Sequence, residues 1–383
     1  MAYCFKLSFL LCFLLLPGCK NPPQAPQSTA QLNIDNSQFV LQPVLDPQEI
    51  FALTRKQEQL FLDYYYDPIN AEQAGHLRLA NFMEEFISDF DFRGHTYTAN
   101  EAMEKLSGNC LSLAILTTAL ANLVDINVTY QLVNSAPIYT RYNKFMTLSS
   151  HVRTELHEPN FVKAEGFLYI LTPRIIIDYF PQRGYVAGKT VSKVDFFSMY
   201  YQNKASNALV NGQVDLAYSL LSKAKQQSQN NYSTLNTLAV LFKHEGNAEQ
   251  AEEIYRYAID LDTDYLSIVN NYIILLEQQG RHEEAKVLGE KIDKVDDENP
   301  YQWFDLANIC FKEGDFHQAL KFNLKALDIA PYLHEGYFQL AKTYYQLGEK
   351  QQAEIAIQKA LKFSYLPEDR HLYQAKMRIL EGK

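Results

Sequence analysis

Cys110, His151 and Asp178 are the side chains of this sequence whose types and surroundings add up to covalent chemistry. Cys110 follows Gly108-Asn109 and opens an apolar run from Leu111 to Leu120, with neither Gly nor Pro through residue 123. That pattern predicts a largely buried helix whose first turn holds Cys110. Unpaired backbone N–H groups at a helix start favour an anion, so a thiolate there is expected to be stabilised and nucleophilic. A cysteine at such a place can equally be a small core residue, and the downstream sequence decides between the two readings. Ser149 to His157 alternates in a period of two, and Ile175-Ile176-Ile177-Asp178-Tyr179-Phe180 is a β-branched run carrying a carboxylate. If those strands pair and lie against the helix, His151 takes the thiol proton and Asp178 holds the imidazole in the required tautomer. His157 stands as an alternative base and Asp195 as an alternative carboxylate. His151, Glu155 and His157 share one strand face as a partial ligand set, but Arg153 among them repels a cation, and no metal site is expected.

These three motifs, a Gly-x-Cys at a helix start, a His-Val strand and an apolar strand ending in Asp, resemble the transglutaminase-like superfamily over roughly residues 85 to 185. The resemblance implies a papain-like Cys110-His151-Asp178 triad and an activity among peptidases, amidases or acyl-transferring enzymes. Arg153 stands where many members carry an aromatic residue. The elements that must position the triad follow from local pattern. A helix is expected over residues 47–65, started by Asp46 and Pro47, a second over 71–90, and a third over 98–106 with Thr98 and Glu101 at capping-box spacing. Strands are expected at 127–133 and near 166–171, besides those bearing His151 and Asp178. Helices followed by antiparallel strands give an α+β domain over residues 47–195.

The amino terminus reads differently. Lys6 precedes a short apolar stretch ending Leu16-Pro17-Gly18-Cys19, too short for a confident membrane span. It resembles a bacterial lipoprotein signal over residues 1–19, which implies lipidation of Cys19. Lys20 in place of Asp implies sorting to the outer membrane, facing the periplasm. Residues 20–46, rich in Pro, Gln, Asn and Ser, read as a flexible tether. With Cys4 and Cys12 removed and Cys19 lipidated, only Cys110 and Cys310 remain as thiols, with no evident disulfide pair in an oxidising compartment.

Beyond residue 197 the pattern becomes periodic. Gly212, Gly246, Gly280, Gly314 and Gly348 recur every 34 residues, in phase with Ala217, Ala251, Ala285, Ala319 and Ala353. Glycine at a turn and alanine where helices cross closely, at this period, resembles the tetratricopeptide repeat. Five repeats are expected over residues 198–367, an all-α solenoid closed by a last helix at 368–383. The family positions that face its groove hold Asn236, Lys243, Asn270, Asn308 and Lys342, which could grip an extended peptide backbone or a carboxylate.

The formal net charge of −10 and the absence of clustered Lys and Arg exclude a nucleic-acid surface. No Gly-rich phosphate loop or Cys-x-x-Cys pair is present, so no cofactor is expected. The sequence thus predicts an envelope-anchored thiol enzyme acting on amide bonds, with a repeat module for protein or peptide partners. The competing expectation is an inactive domain of the same fold serving as a scaffold for envelope complexes.

Overall fold

The computed structural model describes residues 32–380 except 93, 143–144, 160, 162–172, 180–185, 262–265, 291–298 and 365–366. The signal with Cys19, the expected strand at 166–171 and the end of the chain therefore lie outside the described residues.

Local sequence sets the first elements. The helix expected over 47–65 forms as two, α1 (Pro47–Ile50) and α2 (Arg55–Tyr65), because Thr54 restarts the chain with a capping box to Gln57. After α3 (Gly75–Ser88) and the short β1 (Asp91–Phe92) comes α4 (Ala99–Lys105), capped by Thr98 with Glu101 as its sequence signals. Next, β2 (Ser107–Gly108) pairs in parallel with β1 and delivers the chain to α5 (Cys110–Leu123). Every residue of α5 from Leu111 to Ala121 is buried, so this helix is surrounded by protein on all sides.

The sheet that covers α5 has the order β5-β4-β3-β6 and is antiparallel throughout, with β3 (Val128–Tyr142), β4 (Phe145–His157), β5 (Arg174–Ile177) and β6 (Val186–Val191). Val152, Thr154 and Leu156 of β4 are fully buried and face the α5 side, while Arg153, Glu155 and His157 are half-buried.

The carboxy-terminal half is a run of antiparallel helix pairs. They are α6 (Lys193–Val210) with α7 (Val214–Gln227), α8 (Tyr232–His244) with α9 (Ala248–Leu261), α10 (Leu266–Gln278) with α11 (His282–Glu290), α12 (Pro300–Glu313) with α13 (Phe316–Ile329), and α14 (His334–Gln346) with α15 (Lys350–Phe363). A last helix, α16 (Pro367–Leu380), packs on α15. The five periodic glycines turn each pair with φ between +72° and +84°, the left-handed region that glycine enters without strain. The in-phase alanines Ala217, Ala251, Ala319 and Ala353 have no exposed surface, as close helix crossings require.

Two sequence-based boundaries shift. The division between residues 195 and 198 falls inside α6, whose Phe196 stacks on Tyr130 of β3 with ring centroids 3.8 Å apart. One hydrophobic core accordingly runs from Phe39 through α5 and the sheet to Leu288, and a second spans Tyr301 to Tyr373. The flexible tether expected over 20–46 is corrected for its described part. Residues 33–46 lie as a strap on the first two repeats, turned once where the Phe39 N–H donates to the Asn36 carbonyl at 3.0 Å, with Phe39 buried against Tyr218 at 4.2 Å and Phe242 at 5.2 Å between ring centroids. An aromatic ring and a row of backbone hydrogen bonds hold a segment whose composition alone reads as unstructured.

Candidate active site

Three elements deliver the three side chains. Asn109 is the N-cap of α5, its Oδ1 accepting the Ser112 N–H at 3.0 Å, and this leaves Cys110 as the first helical residue. Gly108 just before it has φ +149°, and a Cβ there would lie 2.7 Å from Ser112, so the approach to the nucleophile helix admits no side chain. His151 sits on β4 opposite Val133 of β3, and Asp178 is the first residue beyond β5. Pairing of β5 with β4 in the register Thr154 to Ile177 brings the carboxylate alongside the imidazole.

The distances are those of a connected relay. His151 Nδ1 lies 3.1 Å from Cys110 Sγ, and His151 Nε2 lies 2.7 Å from Asp178 Oδ1. A neutral imidazole that donates its Nε2–H to Asp178 presents the Nδ1 lone pair to the thiol. The His151 side chain is 5% exposed and that of Asp178 is 18% exposed, which strengthens their interaction by excluding solvent.

Burial acts against the thiolate that the helix start favours. Cys110 is half-buried at its surface yet closely surrounded by protein atoms, and burial pushes its thiol up from 9.0 to about 12. The Asp178 charge pushes the same way, and the Cys110 backbone N–H only partly opposes them. A helix terminus contributes on the order of 0.3–1 kcal/mol, whereas desolvation can move a buried group by several pK units, so burial wins. Burial thus favours the protonated thiol, and His151 Nδ1 at 3.1 Å is within reach of its proton.

The alternatives are engaged elsewhere. His157 Nε2 meets Thr129 Oγ1 at 2.8 Å, and Glu155 pairs with Arg174 at 3.1 Å. Asp195 serves the start of α6, accepting from Ser192 and Ser228 hydroxyls at 2.6 Å each. Arg153 spends its guanidinium on Gln131 Oε1. Among the described residues no three His, Cys, Asp or Glu side chains group as metal ligands.

Sequence reading missed the residues that fasten the segments of Cys110, His151 and Asp178 to one another. Tyr179, fully enclosed beside Asp178, donates its hydroxyl to Thr117 of α5 at 2.8 Å and meets Thr154 of β4 at 2.6 Å. It ties the segment bearing the carboxylate to the elements bearing the thiol and the imidazole. Thr96 accepts from Asn109 at 2.8 Å and from Asn203 of α6 at 3.2 Å, linking the nucleophile's cap to the first repeat. A tyrosine next to Asp178 was visible in the sequence, but the two threonine partners are distant along the chain.

The expected groove residues all lie on first helices of the repeats: Asn236 and Lys243 on α8, Asn270 on α10, Asn308 on α12 and Lys342 on α14. Asn236 Oδ1 already accepts from Asn271 at 2.9 Å. Burial lowers the Lys243 ammonium, and burial together with the Lys376 charge lowers that of Lys342, which lies 5.4 Å from the Phe311 ring centroid and 5.2 Å from that of Phe338.

The helix pairs and the comparisons agree on the class of the carboxy-terminal half. The tetratricopeptide repeat family model matches residues 232–265, 303–332 and 334–364. Similar solved structures include pilF of Pseudomonas aeruginosa, 21% identical with TM-score 0.34 over 50% of this chain and 87% of that one. Another is Cut9-Hcn1 of the APC/C, 17% identical with TM-score 0.34 over 49% of this chain and 37% of that one. YrrB, described as a repeat protein of this kind with an unusual peptide-binding site, is 13% identical with TM-score 0.25 over 47% of this chain and 92% of that one. No curated protein sequence matches the chain. By its helix pairs and the three family-model matches, the carboxy-terminal region is a helical solenoid of tetratricopeptide-like repeats.

Proposed function

We propose that the amino-terminal α+β region is a transglutaminase-like thiol enzyme acting on amide bonds, and that the repeats bring it protein or peptide partners. The observation that carries this reading is the unbroken path from Cys110 Sγ to His151 Nδ1 at 3.1 Å and from His151 Nε2 to Asp178 Oδ1 at 2.7 Å. His151 accepts the thiol proton as the sulfur attacks the carbonyl carbon, and the carbonyl electron pair moves onto oxygen. Asp178 stabilises the imidazolium so formed. Collapse of the tetrahedral intermediate expels the amine, which takes the proton from His151, and leaves a thioester on Cys110. Attack by water, deprotonated through His151, completes hydrolysis, and attack by an amine completes acyl transfer. The Cys110 N–H, which lowers the thiol's proton affinity, serves in this reading as one donor to the developing oxyanion.

The lipoprotein-like amino terminus supports a location at the outer membrane, anchored through Cys19 and facing the periplasm, where peptide and cell-wall amides are the accessible substrates. A scaffold reading draws support from the tetratricopeptide repeats, which are protein-binding modules whether or not the thiol reacts.

Trapping discriminates the two. Cys110→Ala should retain a substrate from the envelope fraction, and wild-type protein should turn that substrate over at least ~10³-fold faster than the variant. Full biological effect in Cys110→Ala, together with loss of effect on substituting the repeats, sinks the enzyme and leaves the scaffold.

A further inference from the structure

The strap shows how this solenoid holds an extended peptide on its second helices. Gln250 of α9 grips the strap backbone with both ends of its amide, Oε1 accepting the Asp35 N–H at 2.9 Å and Nε2 donating to the Asn33 carbonyl at 3.2 Å. Phe39 enters between Tyr218 of α7 and Phe242 of α8. Asp215 and Ser219 of α7 then accept the Val40 and Gln42 N–H groups at 2.9 and 2.8 Å, and Lys223 donates to Asp46 at 2.5 Å. Amide, aromatic slot and ammonium follow in that order.

Three repeats further on, half of that constellation returns without a strap, while Leu320, His317 and Lys321 stand where Tyr218, Asp215 and Ser219 hold the strap. By the 34-residue period Gln250 corresponds to Gln352, Phe242 to Tyr344 and Lys223 to Lys325. These three residues line a groove of about 760 Å³ between α13 and α15, floored by α14. Leu324 and Ile355 on its walls are 47% and 49% exposed, and Lys359 faces it together with Lys325, against the single carboxylate of Asp328. Lys325 is steadied over the Trp303 ring at 3.5 Å. The corresponding groove two repeats earlier, about 330 Å³, carries Glu284 where the amide should be, and Arg281 pairs with that carboxylate at 2.8 Å. The last groove therefore has the amide, the apolar walls and the cations that a strap-like peptide requires.

We propose that this groove binds an extended segment of a partner protein that carries an aromatic anchor and, several residues later, a carboxylate. The anchor fills the slot at Tyr344, Gln352 takes the backbone amide, and Lys325 or Lys359 takes the carboxylate. This surface lies on second helices, apart from the first-helix row of Asn236 to Lys342, and it is independent of the thiol site.

A fluorescein-labelled synthetic peptide carrying residues 32–47 of this chain has the required chemistry and serves as the probe, titrated with the whole protein by fluorescence anisotropy. In the intact chain the first site is filled by the tethered strap, so the peptide should saturate the last groove. Ile355→Glu and Lys359→Glu, both on exposed side chains, should each weaken binding about tenfold or more, as should Phe39→Ala or Asp46→Asn within the peptide. Three results overturn the proposal. One is no saturable binding by wild type up to about 1 mM. Another is binding that is indifferent to Ile355→Glu and Lys359→Glu but abolished by Gln250→Ala, which means exchange at the first site. The third is a concentration-dependent dimer lost in Ile355→Glu, which makes a second copy the occupant.

Discussion

A sulfur enclosed by protein is a poor acid, and Cys110 shows what its neighbours must then supply. With burial holding the thiol near 12, solvent cannot deprotonate it at neutral pH, and reactivity depends on the imidazole 3.1 Å away. Alkylation of Cys110 by iodoacetamide at pH ~7.5 should therefore fall about 10²-fold in His151→Ala, the usual worth of a positioned base. Residual labelling in that variant should climb with pH toward about 12 as the thiol ionises unaided. Equal slow labelling of wild type and variant at neutral pH would remove the base from the mechanism. Tyr179→Phe tests the fastening of the triad: it strands the Thr117 and Thr154 hydroxyls and should destabilise the fold by about 1–3 kcal/mol, read as a lower urea midpoint.

Elements meet where side chains have no room. Gly108 passes so close to Ser112 that Gly108→Ala combines a positive φ with a contact of 2.7 Å. It should cost about 2 kcal/mol or more and displace the first turn of α5, lowering both the melting temperature and Cys110 reactivity. The strap depends on one ring. Phe39→Ala empties the slot between Tyr218 and Phe242, should cost about 3–5 kcal/mol locally, and should expose residues 33–46 to limited proteolysis that wild type resists. Continued protease resistance would mean that the backbone bonds to Gln250, Asp215 and Ser219 suffice without the ring.

At the scale of the whole molecule, the core that runs from the strap through α5 into α11 makes the α+β region and the first three repeats one packed body. Asn203 of α6 reaches Thr96, which also receives Asn109 at the nucleophile's cap, so the repeats touch the site through two hydrogen bonds. The buried core also sets the response to alkali. Burial raises Tyr130 from 10.0 to about 12, with a Thr118 hydrogen bond opposing it, and holds Cys110 at about 12. Above pH ~9 the unfolded chain releases these protons while the native state keeps them, so stability is full below that pH and falls as pH rises toward 12. Urea midpoints should be equal at pH ~7 and ~8 and clearly lower at ~10.5. A flat profile would show that these groups are solvated in the native state.

The sequence by itself determined what depends on neighbours a few residues apart. The start of α5 at Asn109-Cys110, the capping box at Thr98, the glycine turns and the alanine crossings are written in local spacing, because helix geometry fixes which near residues share a face. It also named Cys110, His151 and Asp178 as candidates, since Cys110 begins an apolar helix, His151 lies in an alternating strand and Asp178 follows a β-branched one. Only the tertiary structure decided that burial raises the Cys110 thiol, that Tyr179 ties the segment of Asp178 to Thr117 and Thr154, and that residues 33–46 are a docked strap. Desolvation, cross-strand partners and docking depend on atoms brought together from distant parts of the chain, 25 and 62 residues apart for the Tyr179 hydroxyl partners and 175 or more for the strap, and no short window of sequence contains them.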